Sequence, residues 1–312
     1  MTDYASAYHA PVMVEETMEF LRPERGGLYL DGTLGGGGHA EALLERGGEA
    51  RLIGVDRDPD ALAEAGKRLA RFGDRVRLVR SPFADALDAA GIGEGALDGV
   101  LLDLGISSHQ IDEAGRGFTF RAGAPLDMRM GQASAGEPSA ADLLNELDEA
   151  GLADVFWKYG EERRSRKLAR IVAEMRETAP FESSDQLVDA IGRALGPRSD
   201  AGDRARIFQA LRIAVNREIE QLETALERFR DALTPGGVFA ILSYHSLEDR
   251  LVKNAFRDWS RACICPPGLP VCQCGGVPRG ETLARKAVTA SQVEIERNVR
   301  ARSARLRAWR HA

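Results

Sequence analysis

Gly27-Leu28-Tyr29-Leu30-Asp31-Gly32-Thr33-Leu34-Gly35-Gly36-Gly37-Gly38-His39 is the stretch on which the fold turns. Its first five residues form a short apolar run of the kind that makes a strand, and a helical pattern over residues 39–46 follows the glycines. Glycines in that place permit positive φ and let the backbone come close to a ligand, while the start of the helix offers N–H groups without intrahelical partners. A flexible turn is the plain alternative. The position directly after a first strand is what favours nucleotide binding.

Working outward, residues 51–56, 76–80 and 97–104 read as further strands, and residues 59–72 as a helix with Asp58 as N-cap ahead of Pro59. This alternation is that of βαβ units feeding a parallel sheet, so the fold class is α/β. After Leu104 the strand rhythm stops. Helical patterns at 140–150, 151–159, 161–178 and 184–195 predict an inserted all-helical domain, and one long amphipathic helix is expected over 203–233. Residues 238–242 then read as a strand buried on both faces, with a helix over 246–260 behind it. The expected organisation is a discontinuous core of residues 1–111 and 204–312 with a helical insert at 112–203.

Acidic residues fall at the ends of these strands. Asp56, about twenty residues beyond the glycines, is placed to accept the hydroxyls of a ribose. Asp31 ends the first strand, where it would attract an amine and repel a pyrophosphate. Among adenosine-containing ligands this favours S-adenosylmethionine over a nicotinamide dinucleotide. Ligands of open α/β sheets sit beyond the carboxyl ends of the strands, so Asp103, Ser107, Ser108 and Gln110 are expected to face the same cleft. Ser243-Tyr244-His245 ends the strand after the insertion, which makes His245 a candidate site residue beside its ordinary reading as a structural hydrogen-bonder.

Charge and cysteine usage bound the partners. The net charge of -6 argues against an indiscriminate nucleic-acid binder, but residues 279–310 hold nine Lys or Arg against three Glu, and residues 163–176 six against one. Each run is either a solvated face or a polyanion contact. Cys263, Cys265, Cys272 and Cys274 lie within twelve residues, which fits thiols in a reducing compartment better than a disulfide framework. Four thiolates could close a zinc site, or the segment could be an unmetallated turn, and no His stands nearby for a catalytic metal. No apolar run reaches the roughly 18 to 20 residues a membrane-spanning helix needs, and the first ten residues lack signal-peptide character, so the cytoplasm is expected.

Taken together these segments resemble the bacterial 16S ribosomal RNA (cytosine-N4)-methyltransferase family. The likeness runs nearly end to end, through His9-Ala10-Pro11-Val12-Met13, the loop at 31–39, Val55-Asp56-Arg57-Asp58, LLDLGISSHQID at 101–112, Arg116-Gly117-Phe118-Thr119-Phe120, Pro125-Leu126-Asp127-Met128-Arg129-Met130, Tyr159-Gly160-Glu161-Glu162, FQALRIAVNREI at 208–219, SYHSLEDR at 243–250 and ARSARLR at 301–307. It implies a Rossmann-like class I methyltransferase core, S-adenosylmethionine as cofactor, and transfer of its methyl group to the N4 amine of a decoding-centre cytidine. By matching position, Gly37, Gly38, His39, Asp56, Phe83, Asp103 and Gln110 would contact the cofactor, with Phe83 beside the adenine. The partner implied is 16S rRNA in the small ribosomal subunit, with a homodimer among the oligomeric states the family allows. Val299 stands where the family often has proline, and the clustered cysteines occur in only part of it.

For such a transfer Asp103, Ser107, Ser108 and His245 are the candidate catalytic residues, with Asp31 added to the cofactor contacts, and no metal is required. Phe118, Phe120, Arg121 and 127–129 are candidates for holding an unstacked base, and the two basic runs for binding phosphates. Two rivals are a nicotinamide-dependent oxidoreductase, for which Asp31 is awkward, and a non-enzymatic rRNA-binding assembly factor, which leaves the glycine loop and Asp56 unexplained.

Overall fold

Successive side chains of a strand point to opposite faces, so Tyr29 and Leu101 bury against one side of a sheet and Leu30 and Leu102 against the other. The computed structural model describes residues 4, 11–131, 136–263, 265, 274 and 276–312. It places β1 (Gly27–Asp31), β2 (Ala50–Asp56), β3 (Val76–Arg80), β4 (Leu97–Asp103), β5 (Leu233–Ser243), β6 (Gly280–Thr282) and β7 (Arg305–His311) in one sheet, ordered β3-β2-β1-β4-β5-β7-β6. Strands β1 to β5 are parallel, and β7 runs antiparallel between β5 and β6. This is the α/β, Rossmann-like arrangement expected.

The chain divides into two units, one of Met1–Gly105 with Glu220–Ala312 and the other of Ile106–Ile219. In the first, α1 (Val14–Leu21) and α2 (Gly38–Arg46) contribute Met18, Leu21, Leu43 and Leu44 to the apolar layer on one face of the sheet, where Ala65 and Leu69 of α3 (Pro59–Leu69) join them. On the opposite face α4 (Ala86–Ala90) is joined by two helices from beyond the insertion, described below, which bring Leu222, Leu226, Phe229, Val252, Phe256 and Trp259. Helix α3 starts as the sequence indicates, with the Asp58 carboxylate accepting the Asp60 N–H and Pro59 in the first turn.

The second unit is all-helical: α5 (Ser108–Asp112), α6 (Ala140–Glu146), α7 (Glu149–Lys158), α8 (Ser165–Thr178), α9 (Ser184–Leu195) and α10 (Ala201–Asn216) surround Leu144, Phe156, Leu168, Leu187, Ile191 and Leu211. The limits drawn from sequence, 112 and 203, fall inside this unit, because Ile207, Phe208, Leu211 and Val215 of α10 belong to its core.

One sequence expectation is corrected, and the two basic runs take defined places. The single helix over 203–233 is two, since Arg217 takes a left-handed φ of 51° and separates α10 from α11 (Glu218–Ala232). The end of the basic C-terminus forms strand β7, while Arg285, Lys286, Arg297, Arg302 and Arg305 of the same run are exposed. In β7 Trp309 is wholly buried, Arg307 forms a bidentate pair with Asp249 (2.7 and 3.2 Å), and Arg310 pairs with Glu281. In the basic run of α8, Arg164 and Lys167 donate to the carbonyls of Leu195 and Ala194, and Arg176 to those of Leu144 and Leu147. These cations close the C-terminal ends of neighbouring helices, where the dipole favours positive charge; Arg163, Arg166 and Arg170 remain exposed. Past β5, α12 (Ser246–Trp259) and α13 (Gln292–Arg297) complete the helices of the first unit.

Candidate functional site

Chain order reverses across the sheet between β1 and β4, since β2 and β3 lie on one side of β1 and β5 on the other side of β4. Such a switch point opens a crevice beyond the carboxyl ends of the two strands, and here the strands end in Asp31 and Asp103. Asp56 ends the neighbouring β2, so three adjacent strands present three carboxylates at one edge.

The glycine loop is shaped by what it packs against. Gly37 has a φ of 78° ahead of α2, a conformation that glycine adopts without strain. At Gly38 a Cβ would stand 2.7 Å from Pro11 Cγ, so the helix can start this close to the Pro11 segment only without a side chain. The loop is then tied to the acids. Thr33 N–H donates to Asp31 Oδ1 (3.1 Å), Gly35 N–H to Asp56 Oδ2 (2.8 Å), and Thr33 Oγ1 accepts the Asp103 N–H (2.5 Å). Asp56 Oδ1 also takes the Asp58 N–H (2.8 Å).

Around Asp103 the geometry is tighter still. Tyr244, just past β5, donates its hydroxyl to Asp103 Oδ1 (2.8 Å), and His39 Nδ1 lies 3.6 Å from Asp103 Oδ2. His39 Nε2 is 2.9 Å from the Val12 carbonyl, which can only accept, so Nε2 carries a hydrogen. Burial and the neighbouring Asp103 push the Tyr244 hydroxyl well above its ordinary pKa, which keeps it a donor.

Asp31 is 2% exposed. Burial pushes its carboxyl up to about 7, with Asp103 and Asp56 adding repulsion against the Thr33 backbone hydrogen bond that opposes it. Asp56 is raised to about 6, again mainly by burial. A carboxylate held this far above its ordinary range gains most from a bound cation. The donor set therefore fits a ligand that is positively charged and carries a ribose, and it opposes a pyrophosphate.

Other residues singled out from sequence take less direct positions. Phe83 starts a half-buried turn after β3, 3.4 Å from where a Cβ on Gly32 would stand, and so borders the same loop. His245 is the N-cap of α12: its Nδ1 accepts the Glu248 N–H (3.4 Å) while Glu248 Oε2 accepts the Tyr244 and His245 N–H groups. Its Nε2 lies 3.1 Å from Glu248 Oε1 without hydrogen-bond alignment. Ser107 and Gln110, in the helical unit, form a reciprocal capping box at α5; the side chain of Ser108 lies outside the described residues. Of the base-holding candidates, Phe118 and Met128 are core residues of that unit, Asp127 and Arg129 pair with each other, and Phe120 is exposed with its ring edge-on to Phe208. Sequence reading did not assign roles to Thr33 or Tyr244. Their signal was position alone, one inside the loop after β1 and one directly after β5.

An open α/β sheet of this order, with a glycine loop after β1 and cation-favouring acids at the switch point, defines an S-adenosylmethionine-dependent methyltransferase. The comparison with known families makes this specific: residues 6–312 match the MraW methylase family, and the chain belongs to it. A relative from Gemmatimonas aurantiaca, named ribosomal RNA small subunit methyltransferase H, is 55% identical over 308 residues, covering 98% of this chain and 96% of its own. One of the same name from Heliobacterium mobile is 49% identical over 307 residues, covering 96% and 97%. Among solved structures, an rRNA methylase from Streptococcus thermophilus aligns over 96% of this chain and 93% of its own at 12% identity and a TM-score of 0.42.

Proposed function

We propose that this protein methylates the exocyclic N4 amine of a decoding-centre cytidine in 16S rRNA, acting on the small ribosomal subunit in the cytoplasm. Membership of the methylase family over nearly the whole chain carries the reading, and the acids at the β1/β4 switch point support it. The rRNA substrate comes from the names of the full-length relatives.

S-adenosylmethionine supplies an electrophilic methyl on sulfonium sulfur, which passes to the amine nitrogen as the carbon–sulfur bond breaks. Asp31 holds the cofactor's ammonium group, and Asp56 accepts from its ribose hydroxyls. Gly37, Gly38 and His39 line its approach at the start of α2 and Phe83 flanks the adenine, with Gln110 a further contact that the family resemblance implies. The cytosine amine is a poor nucleophile because its lone pair is shared with the ring. Asp103 accepts a hydrogen bond from one amine N–H, which localises the nitrogen lone pair and fixes its direction, and after transfer the cationic methylated amine releases a single proton to solvent, keeping its other N–H. The Tyr244 hydroxyl, donating to Oδ1, keeps the Asp103 carboxylate in one orientation. His245 caps α12 and sets the β5–α12 turn that carries Tyr244. Alignment supplies most of the rate, for which intramolecular analogies give effective molarities of about 10^5 to 10^8 M. Unstacking the base costs a few kcal/mol and is offset by contacts to the flipped ring.

The test uses purified protein, radiolabelled S-adenosylmethionine, and either small subunits or free 16S rRNA from a strain lacking its own copy of the enzyme. Label in N4-methylcytidine after nuclease digestion is expected, and stronger from subunits than from free rRNA. Cofactor binding with no label in either RNA would refute the substrate, and absence of cofactor binding would refute the site. Sedimentation of the same preparation checks the homodimer that the family resemblance allows.

A further inference from the structure

The cysteines play no part in the chemistry above, yet their geometry is specific. The sulfur atoms of Cys263, Cys265 and Cys274 all lie within 4.8 Å of one another, and those of Cys263 and Cys274 are 3.7 Å apart. That is far longer than the roughly 2.05 Å of a disulfide. It matches the edge of a tetrahedron of sulfurs around zinc, which at a Zn–S distance of about 2.3 Å is about 3.8 Å. Cys272, the fourth cysteine of the cluster, lies outside the described residues.

The surrounding chain is built to hold this convergence. Arg279 N–H donates to the Trp259 carbonyl (2.8 Å), closing the loop between the end of α12 and the start of β6. A Cβ at Gly276 would stand 2.7 Å from the Ala262 carbonyl oxygen and 3.4 Å from Cys274 Sγ, so the returning strand of the loop passes against the outgoing one at the sulfurs. Among the described residues of this closed loop, Arg261, Ala262 and Cys263 are exposed, and Val277 is 80% exposed. These described flanks bring little apolar burial to order the loop, so the sulfur cluster is placed to supply it.

We propose that Cys263, Cys265 and Cys274 bind a structural zinc ion as thiolates, stapling the α12–β6 loop. Binding replaces three S–H bonds by Zn–S bonds and releases three protons, with no change of oxidation state. Strand register keeps the metal away from the chemistry. Gly280 and Glu281 pair with His311 and Arg310, and Arg310 pairs with Val238 of β5, whereas the acid cluster lies level with Leu242, the partner of Asp103. The four residues from Val238 to Leu242 amount to about 13 Å of strand. The zinc is thus structural, and its loss acts on stability rather than on the transferred methyl.

The protein purified without chelator should contain about one zinc per chain by plasma mass spectrometry. Cobalt(II) replacing it should show thiolate-to-cobalt charge transfer and the intense visible bands of a tetrahedral site. Cys263→Ser, Cys265→Ser and Cys274→Ser should each lose the metal and melt several degrees lower, while S-adenosylmethionine Kd stays within about threefold, because a ligand that binds only the native state stabilises it independently of the staple. Should a variant not fold, the zinc content and cobalt spectrum of the unaltered chain decide alone. Substoichiometric zinc, a cobalt spectrum without charge transfer, iron in place of zinc, or a Cys263–Cys274 disulfide in a non-reducing peptide map would overturn the proposal.

Discussion

Lowering the pH from 8 to 5 protonates Asp31 and Asp56 while the cofactor keeps its sulfonium and ammonium charges, so affinity should fall through the titration of the protein alone. With Asp31 at about 7 and Asp56 at about 6, protonation favours the neutral forms at pH 5 by about a hundredfold and tenfold. If the cofactor binds only the ionised pair, the cost at pH 5 is about 4 kcal/mol, or about a thousandfold in Kd, and the two steps belong to the coupled cluster rather than to each residue. Asp31→Asn removes the charge but keeps the shape. Its Kd should be at least about a hundredfold weaker than that of the unaltered protein at pH 8 and converge on it at pH 5, leaving only the Asp56 part of the slope.

Stability of the cofactor-free protein should move the other way. The folded-state pKa of Asp31 is raised from 3.8 to about 7, so its contribution is fully present below 3.8 and is lost as pH rises through about 7. The loss is of the order of 4 kcal/mol, at about 1.4 kcal/mol per pH unit. Asp31→Asn should accordingly melt higher than the unaltered protein at pH 8 while binding cofactor worse. Calorimetric titration in two buffers of different ionisation enthalpy reads the proton release directly, about 1.4 protons at pH 6 and about 0.1 at pH 8. A Kd that stays flat within about threefold from pH 5.5 to 8, or an Asn variant that follows the parent's pH profile, would refute the reasoning.

Thr33→Val keeps the volume but removes the hydroxyl that accepts from Asp103 N–H, and equilibrium binding should show cofactor affinity about tenfold lower. Tyr244→Phe deletes the 2.8 Å hydrogen bond to Asp103, and kcat should drop about 10- to 100-fold with cofactor Kd little changed, as single-turnover and binding measurements would separate. In the helical unit Asn216 joins the carbonyls of Met128 and Arg212 to the Met130 N–H while 2% exposed, so Asn216→Ala should lower denaturant stability by about 2 to 4 kcal/mol.

Strands β1 to β4 were readable because each is a short, mostly apolar run ended by an acid or, in β3, by an arginine, and they fall within a residue of the limits read. Strand β7 was hidden by composition. Arg305, Arg307 and Arg310 read as a phosphate-binding run, whereas the alternating Leu306 and Ala308, the buried Trp309 and the pairing with β5 and β6 make the segment a strand, with Arg307 and Arg310 paired to Asp249 and Glu281. The break at Arg217 was equally invisible, since the apolar spacing continues through it and arginine carries no preference for positive φ. At the site the charged residues announced themselves, whereas Thr33 and Tyr244 depend on which strand ends become neighbours in space, and that is a property of topology.

That topology also explains why three carboxylates can be kept together. Adjacent parallel strands end side by side, at the spacing of a sheet, so acids at the tips of β2, β1 and β4 are brought close whether or not their charges agree. The protein relieves part of the conflict with fixed donors, giving backbone N–H groups to Asp31 and Asp56 and the Tyr244 hydroxyl to Asp103. Yet Asp31 and Asp56 remain raised, mainly by burial and, at Asp31, also by repulsion from Asp103 and Asp56, so burial and the remaining repulsion are only partly offset. More donors around Asp31 would stabilise the empty protein and, by lowering its pKa, weaken the advantage a cation gains on arrival. The residual strain is therefore what a positively charged cofactor removes on binding, and it disappears with the sulfonium charge only in part, because the ammonium group persists in the product. Methyl transfer should for that reason loosen the product's hold on the site without abolishing it.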